Sequence, residues 1–305
     1  MTRDLLIPCI WLDDEAEEAA TFYAETFPES RVVGTSRYPE SGDNPSGKPP
    51  GSVLTVELAI AGRRFTLLNG GPMFQRSPNL SFFVYVDAAQ ADALYGALMR
   101  GGQALMPLDA YPWSERYAWV EDRFGVSWQL IAGTPEPSPP DGGLAITPCL
   151  MFAGTVRGRS EEALRSYAAR FEGAELEALE RYGDGAGQER WLKHGRLRLP
   201  NGQALVAMDS HVDHDATFTE ALSLQVMCAD QAEVDRFWDG FLADGGQAGP
   251  CGWLKDRFGF SWQITPRVVA DLFASDDAAA RDRAFGAMLA MGKLDEAALL
   301  AAFEG

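Results

Sequence analysis

Apolar positions along this chain follow two periods, and the whole pattern occurs twice. Leu5–Leu12 and Ala145–Phe152 are short apolar runs of strand length. Behind the first, Ala16, Ala19, Tyr23 and Phe27 share one helical stripe, with Glu17, Glu18 and Glu25 off it. Behind the second, Leu164, Tyr167, Ala168 and Phe171 do the same. Strand patterns follow at 53–60 and 64–69, and again at 196–199 and 204–208. A further strand at 80–86 or 222–228 leads into a helix capped by Asp87 or Asp230. Two last strands flank DRFG turns at 122–125 and 256–259. The predicted order is β-α-β-β-β, β-α-β-β-β in each copy, an α+β fold.

Alternation assigns faces. In 222–228, Ser223, Gln225 and Met227 alternate with Leu222, Leu224, Val226 and Cys228; in 260–265, Ser261, Gln263 and Thr265 alternate with Phe260, Trp262 and Ile264. Period two puts the large apolar set, with Trp128 and Trp262, under the helices and the polar set on the other face. On that face the first copy carries Ile7, Trp11, Phe65, Phe83, Tyr85, Trp119 and Gln129. Such aromatics predict an enclosed pocket over a solvated face or a dimer surface. Trp119 and Trp253 suit either core packing or a pocket wall.

The duplication is visible residue by residue. EDRFGVSWQL at 121–130 returns as KDRFGFSWQI at 255–264, and GGQ at 101–103 returns at 245–247. Pro8-Cys9 recurs as Pro148-Cys149, and Glu17-Glu18-Ala19 as Glu161-Glu162-Ala163. Between the copies, a Pro/Gly-rich stretch reads as a linker at 134–143. The expected domains are therefore 1–133 and 144–266, with a helical extension at 267–305. In that extension Ser275 and Asp295 are the expected N-caps, and Phe285, Met288, Leu289 and Leu299 the docking residues.

Composition narrows the partners. The 305 residues carry a net charge of −18 and a pI near 4.5, which argues against nucleic acid and anionic membrane surfaces. No apolar stretch approaches the ~18 residues of a membrane span, and the first residues do not read as a signal peptide. Four scattered cysteines without a CxxC pair fit a reducing cytoplasm and exclude the usual structural zinc spacing. Cys9, Cys149 and Cys251 read as buried thiols rather than nucleophiles, and no GxSxG elbow is present. Gly183-Asp-Gly185-Ala-Gly187 lacks the strand and helix that a nucleotide or methyl-donor loop requires. The run Asp209-Ser-His211-Val-Asp213-His214-Asp215 has metal-ligand residue types, but its irregular spacing reads as a loop.

The double β-α-β-β-β order, ending in Asp122-Arg-Phe-Gly125…Gln129-Leu and Asp256-Arg-Phe-Gly259…Gln263-Ile, resembles the vicinal oxygen chelate superfamily. That superfamily includes glyoxalase I, extradiol dioxygenases and antibiotic-resistance proteins. More narrowly, CGWLKDRFGFSWQITP (251–266), AMDS (207–210), HDATFTEALS (214–223) and LLNGGP (67–72) look like the PhnB-like family. The tail phrase AMLAMGKLDEAAL is similar to that family's C-terminal extension. The resemblance implies two tandem domains, each of two βαβββ modules making an eight-stranded cup. It places the superfamily's metal-ligand positions at Ile7, Phe65, Ser81 and Gln129, and at Thr147, Leu205, Ser223 and Gln263. Those residue types do not suit a divalent metal, so no metal or cofactor is expected. The expected cup lining is Cys149, Met151, Asp209, Ser223, Gln225, Trp253, Ser261 and Gln263, with Trp11, Asn69, Ser81, Phe83, Trp119 and Gln129 in the first copy. The functional expectation is a small-molecule binding protein, monomeric as an internal pseudo-dimer or homodimeric. An enzyme acting on a small organic substrate is the alternative, through the Asp209–Asp215 run or metal-free.

Overall fold

A computed structural model of the chain describes residues 4–40, 46–133, 144–183, 188–213 and 216–305. The expected linker at 134–143 lies outside the described residues. The first βαβββ module is β1 (Leu6–Leu12), α1 (Ala16–Thr26), β2 (Arg31–Arg37), β3 (Val53–Ile60) and β4 (Arg63–Asn69). The second is β5 (Leu80–Val86), α2 (Ala88–Leu98), β6 (Gln103–Tyr111), β7 (Ser114–Glu121) and β8 (Ser127–Ala132). The third is β9 (Ala145–Phe152), α3 (Ser160–Arg170), β10 (Glu175–Arg181), β11 (Leu192–Arg198) and β12 (Ala204–Asp209). The fourth is β13 (Leu222–Cys228), α4 (Gln231–Ala243), β14 (Gln247–Ala248), β15 (Trp253–Lys255) and β16 (Ser261–Pro266). The tail adds α5 (Val268–Phe273), α6 (Ala278–Leu289) and α7 (Glu296–Glu304). Among the described residues no helix is long and apolar enough to cross a membrane.

Each eight-stranded sheet is two modules, but the two come from different repeats. One sheet runs β14-β15-β16-β13-β1-β4-β3-β2 and the other β10-β11-β12-β9-β5-β8-β7-β6. The seams are antiparallel pairs, β1 with β13 (Ile7 opposite Gln225, Cys9 opposite Ser223) and β5 with β9 (Ser81 opposite Cys149). The edge strands β2 and β10 are short and largely exposed. β10, within AELEALERY, is thus a sheet edge, which its polar composition conceals.

What joins the two modules of a repeat is a buried carboxylate. Asp122, in the turn before β8, accepts from Tyr23 Oη of α1 (2.8 Å), Trp128 Nε1 (2.8 Å) and the backbone N–H groups of Phe124 and Val126. Asp256 accepts the same set from Tyr167 (2.6 Å), Trp262 (2.9 Å), Phe258 and Phe260. Gly125 and Gly259 allow the tight turn, with φ of 74° and 83°. Around these carboxylates the helices and the inner sides of both sheets form one continuous core. Burial pushes both carboxyls above the ordinary range and the four donors pull them back.

Asp87 and Asp230 cap α2 and α4 as expected, accepting from the N–H of Gln90 and Glu233. In the tail, Asp295 caps α7, but α6 begins at Ala278 and is capped by Asp277 rather than Ser275. Phe285 packs on Tyr38 and Leu54 of the first module, beside Met288 and Leu289; Leu299 packs with Leu272, Ala284 and Leu294. The tail also grips the fourth module, where Cys251 and Gly252 N–H donate to Met291 and Gly292 carbonyls at 2.7 Å.

Two neighbours in β16 should respond oppositely. Trp262→Ala removes a fully buried ring and is expected to cost about 3–5 kcal/mol. Gln263→Leu, on the face away from the core, should cost about 1 kcal/mol. Asp256→Asn leaves a donor facing donors and should cost about 2–3 kcal/mol. Urea denaturation checks all three; equal losses at 262 and 263 would contradict the facing of the strand.

Candidate functional site

The side of each sheet away from the core, the cup side of the expected fold, carries the polar half of the alternation. In the first cup (β1–β4 with β13–β16), Cys9, Thr66, Glu57, Ser223, Gln225 and Gln263 lie in matching register. Apart from Cys9, their polar atoms lie within hydrogen-bond distance of one another in a row. Gln263 Nε2 donates to Ser223 Oγ (2.9 Å), and Gln225 Nε2 to Gln263 Oε1 (3.2 Å). Thr66 Oγ1 lies 2.9 Å from Glu57 Oε1 and 3.1 Å from Gln225 Oε1, with one proton for both acceptors. Arg64 Nη2 reaches Glu57 Oε2 at 3.3 Å. Burial raises the Glu57 carboxyl above its ordinary range against the pull of Thr66 and Arg64.

Two half-buried indoles stand in the same cup. Trp11 and Trp253 meet edge to face with ring centroids 6.0 Å apart, and Trp11 Nε1 donates to Gly71 O (2.8 Å). Gly70 must be glycine, because a Cβ there would meet the Trp11 ring at 2.1 Å. Ser261 also belongs to this face; it is buried and its Oγ has no hydrogen-bond partner.

The second cup (β5–β8 with β9–β12) repeats the serine–glutamine arrangement under an aromatic cover. Gln129 Nε2 donates to Ser81 Oγ (2.8 Å), Tyr117 Oη to Gln129 Oε1 (2.6 Å) and Trp119 Nε1 to Ser127 Oγ (2.8 Å). Phe83, Tyr85, Tyr111, Met106, Met208 and Ile131 pack around Tyr117, Cys149 and Val206. At its rim Arg196 Nε pairs with Glu177 (2.8 Å). His194 faces the Phe83 ring.

The expected lining residues divide between the cups. Trp11, Ser223, Gln225, Trp253, Ser261 and Gln263 share the first; Ser81, Phe83, Trp119, Gln129, Cys149 and Met151 share the second. Cys149 and Met151 therefore do not join Ser223 and Gln263, because β9 pairs with β5; Cys9 and Trp11 occupy those places. Asn69 and Asp209 line neither cup. They face the core and hold helix N-termini: Asn69 Oδ1 accepts from Ala16 N–H, and Asp209 accepts from Gly158, Ser160 and Leu192 N–H. Phe65 and Leu205 also face the core, Phe65 against Phe82 at 5.2 Å. Their neighbours Thr66 and Val206 take the cup-facing positions. Glu57, Arg64 and Thr66 were legible in the sequence as the polar half of the alternation in β3 and β4.

The remaining motifs separate. His211 stacks on Tyr182, Asp213 pairs with Arg157 and Asp209 turns inward, while His214 and Asp215 lie outside the described residues. Residues 184–187 of the GxGxG stretch also lie outside them. Burial pushes the Cys9, Cys149 and Cys228 thiols up to about 12, which removes thiolate character at neutral pH. Among the described residues no three His, Cys, Asp or Glu side chains converge as metal ligands. The cup-facing residues at the superfamily's positions, Ile7, Ser81, Gln129, Thr147, Ser223 and Gln263, do not fit a divalent metal.

Burial holds the His194 pKa below its ordinary value of 6.5. The unfolded chain therefore takes up this proton first as pH falls, and stability should decline below about pH 6.5. Comparing urea midpoints of the wild type and His194→Gln between pH 7.5 and 5.5 isolates this contribution; parallel profiles would refute it.

Comparisons with known proteins agree with this architecture. The model of the family described as 3-demethylubiquinone-9 3-methyltransferase matches twice, at residues 4–131 and 144–265. A PhnB protein from Bacillus cereus, described with the same methyltransferase name, is 32% identical over 42% of this chain and 98% of its own, with a TM-score of 0.38. Glyoxalase I from Zea mays is 14% identical over 87% of this chain and 92% of its own, with a TM-score of 0.55, a likeness of fold. The curated proteins contain no match. With both repeats matched, the chain belongs to the PhnB-like family described as 3-demethylubiquinone-9 3-methyltransferase, and its paired βαβββ modules share the fold of glyoxalase I.

Proposed function

We propose that the chain binds a small organic molecule on a concave sheet face, through hydrogen bonds and ring contacts rather than through a metal ion. The observation that carries this reading is the row Glu57–Thr66–Gln225–Gln263–Ser223, buried or half-buried on one sheet face with two indoles beside it. Amide and hydroxyl groups on rigid strands orient an uncharged ligand, and the indoles supply apolar contact. Each cup takes modules from both repeats, so one chain supplies complete cups, and a monomer is the expected working unit.

Methyl transfer, which the family description names, finds little support in the local structure. A methyl-donor loop of the glycine-rich kind sits between a parallel strand and a helix N-terminus. Here β10, which precedes Gly183, is an antiparallel edge strand, and the next strand is β11. The diverging side chains of Asp209, His211 and Asp213 likewise give a metal-dependent enzyme no starting point.

Native mass spectrometry of untagged protein is expected to show a small-molecule adduct that denaturation releases. Elemental analysis should find less than ~0.2 equivalents of transition metal. One equivalent of metal, lost in Glu57→Gln, would overturn the reading. So would the absence of any adduct together with no thermal stabilisation by a panel of metabolite-sized compounds.

A further inference from the structure

The two cups share one polar arrangement, and only one of them completes it from its own side chains. Ser81, Ser127 and Gln129 of the second cup correspond to Ser223, Ser261 and Gln263 of the first. In the second, the β6–β7 hairpin delivers Tyr117 Oη to Gln129 Oε1 at 2.6 Å and Trp119 Nε1 to Ser127 Oγ at 2.8 Å. In the first, the matching hairpin is ten residues shorter: the GGQ repeats are 144 residues apart and the DRFG repeats 134. The counterpart of Tyr117 is Cys251, which sits at φ 55° in a turn whose N–H is donated to Met291 of the tail. The counterpart of Trp119 is Trp253. It lies opposite Gln263 as Trp119 lies opposite Gln129, yet its ring meets Trp11, and Ser261 Oγ, 1% exposed, is left without a partner.

The first cup therefore lacks the phenol ring, its Gln263 Oε1 taking a longer bond from Gln225 Nε2 (3.2 Å) instead, and it leaves Ser261 Oγ without the donor that Trp119 gives Ser127. It is also richer in acceptors. At register positions where the second cup has Arg196, Val206 and Phe83, the first has Glu57, Thr66 and Gln225. We infer that the first cup is the open ligand site, and that it takes an uncharged ring bearing a hydroxyl or N–H donor, seated where Tyr117 and Trp119 lie in the second. This rests on the small-molecule reading above and assigns it a cup and a ligand class. A buried polar group left unpaired penalises an analogue that lacks the donor, so the site should discriminate by hydrogen bonding as well as by shape.

The probe is 4-methylphenol, the side chain of tyrosine, titrated calorimetrically into the intact chain, with toluene as the same ring lacking the hydroxyl. The wild type is expected to bind one equivalent of 4-methylphenol, and toluene at least about tenfold more weakly. Gln263→Leu should weaken 4-methylphenol by at least about tenfold. Tyr117→Ala, which empties the second cup of its own phenol, should raise the stoichiometry to two. Equal binding of toluene, two equivalents in the wild type, or unchanged stoichiometry in a folded Tyr117→Ala variant would overturn the assignment. A native adduct that 4-methylphenol does not displace would refute this ligand class while leaving the small-molecule reading standing. If Gln263→Leu fails to fold, the toluene comparison and the Tyr117→Ala stoichiometry decide.

Discussion

A carboxylate removed from water needs its lone pairs filled, and Asp122 and Asp256 meet that demand by drawing together parts of the chain that otherwise belong to different sheets. Each takes a tyrosine hydroxyl from the first helix of its repeat and an indole N–H from the last strand of the same repeat. In repeat one the tyrosine's module lies in one sheet and the indole's in the other. The carboxylates therefore hold the two sheets back to back. With the core sides turned inward, both polar faces turn outward and become the cups.

That arrangement explains why neither repeat closes a cup of its own. Once the two modules of a repeat are packed through their helices, each leaves a seam strand, β1, β5, β9 or β13, free to pair. The seam is closed by the other repeat in an antiparallel register. Joining both repeats in one chain makes this pairing intramolecular, which raises its effective concentration. It also frees the two cups to diverge, since a change in one repeat no longer alters both.

The divergence has a local physical origin. The short β14–β15 hairpin lacks the arm that covers the second cup, and the C-terminal helices dock beside that hairpin, bonded to Cys251 and Gly252 and packed on Tyr38 and Leu54. A positive φ at Cys251 is costly for a residue with a Cβ. The hydrogen bond to Met291 helps hold it. The first cup thus gains a neighbouring helical wall and loses its internal phenol, whereas the second keeps a packed aromatic interior.

Much of this protein is legible from residue order. The duplication, the βαβββ modules, the capping aspartates, the core tryptophans and the polar identity of the cup faces follow from period two, period 3.6 and repeated motifs, because each depends on neighbours within a few residues. Phe65, expected on the pocket face, instead turns to the core, and its neighbours Arg64 and Thr66 take the cup side with Glu57. What only the tertiary structure decided is which modules share a cup, and hence that Cys9 rather than Cys149 stands beside Ser223, and that Asn69 and Asp209 serve helix termini. Strand pairing across more than two hundred residues leaves no local periodic trace. It is set by which seam strands remain unpaired after the Asp122 and Asp256 carboxylates have drawn each repeat's helix and final strand together.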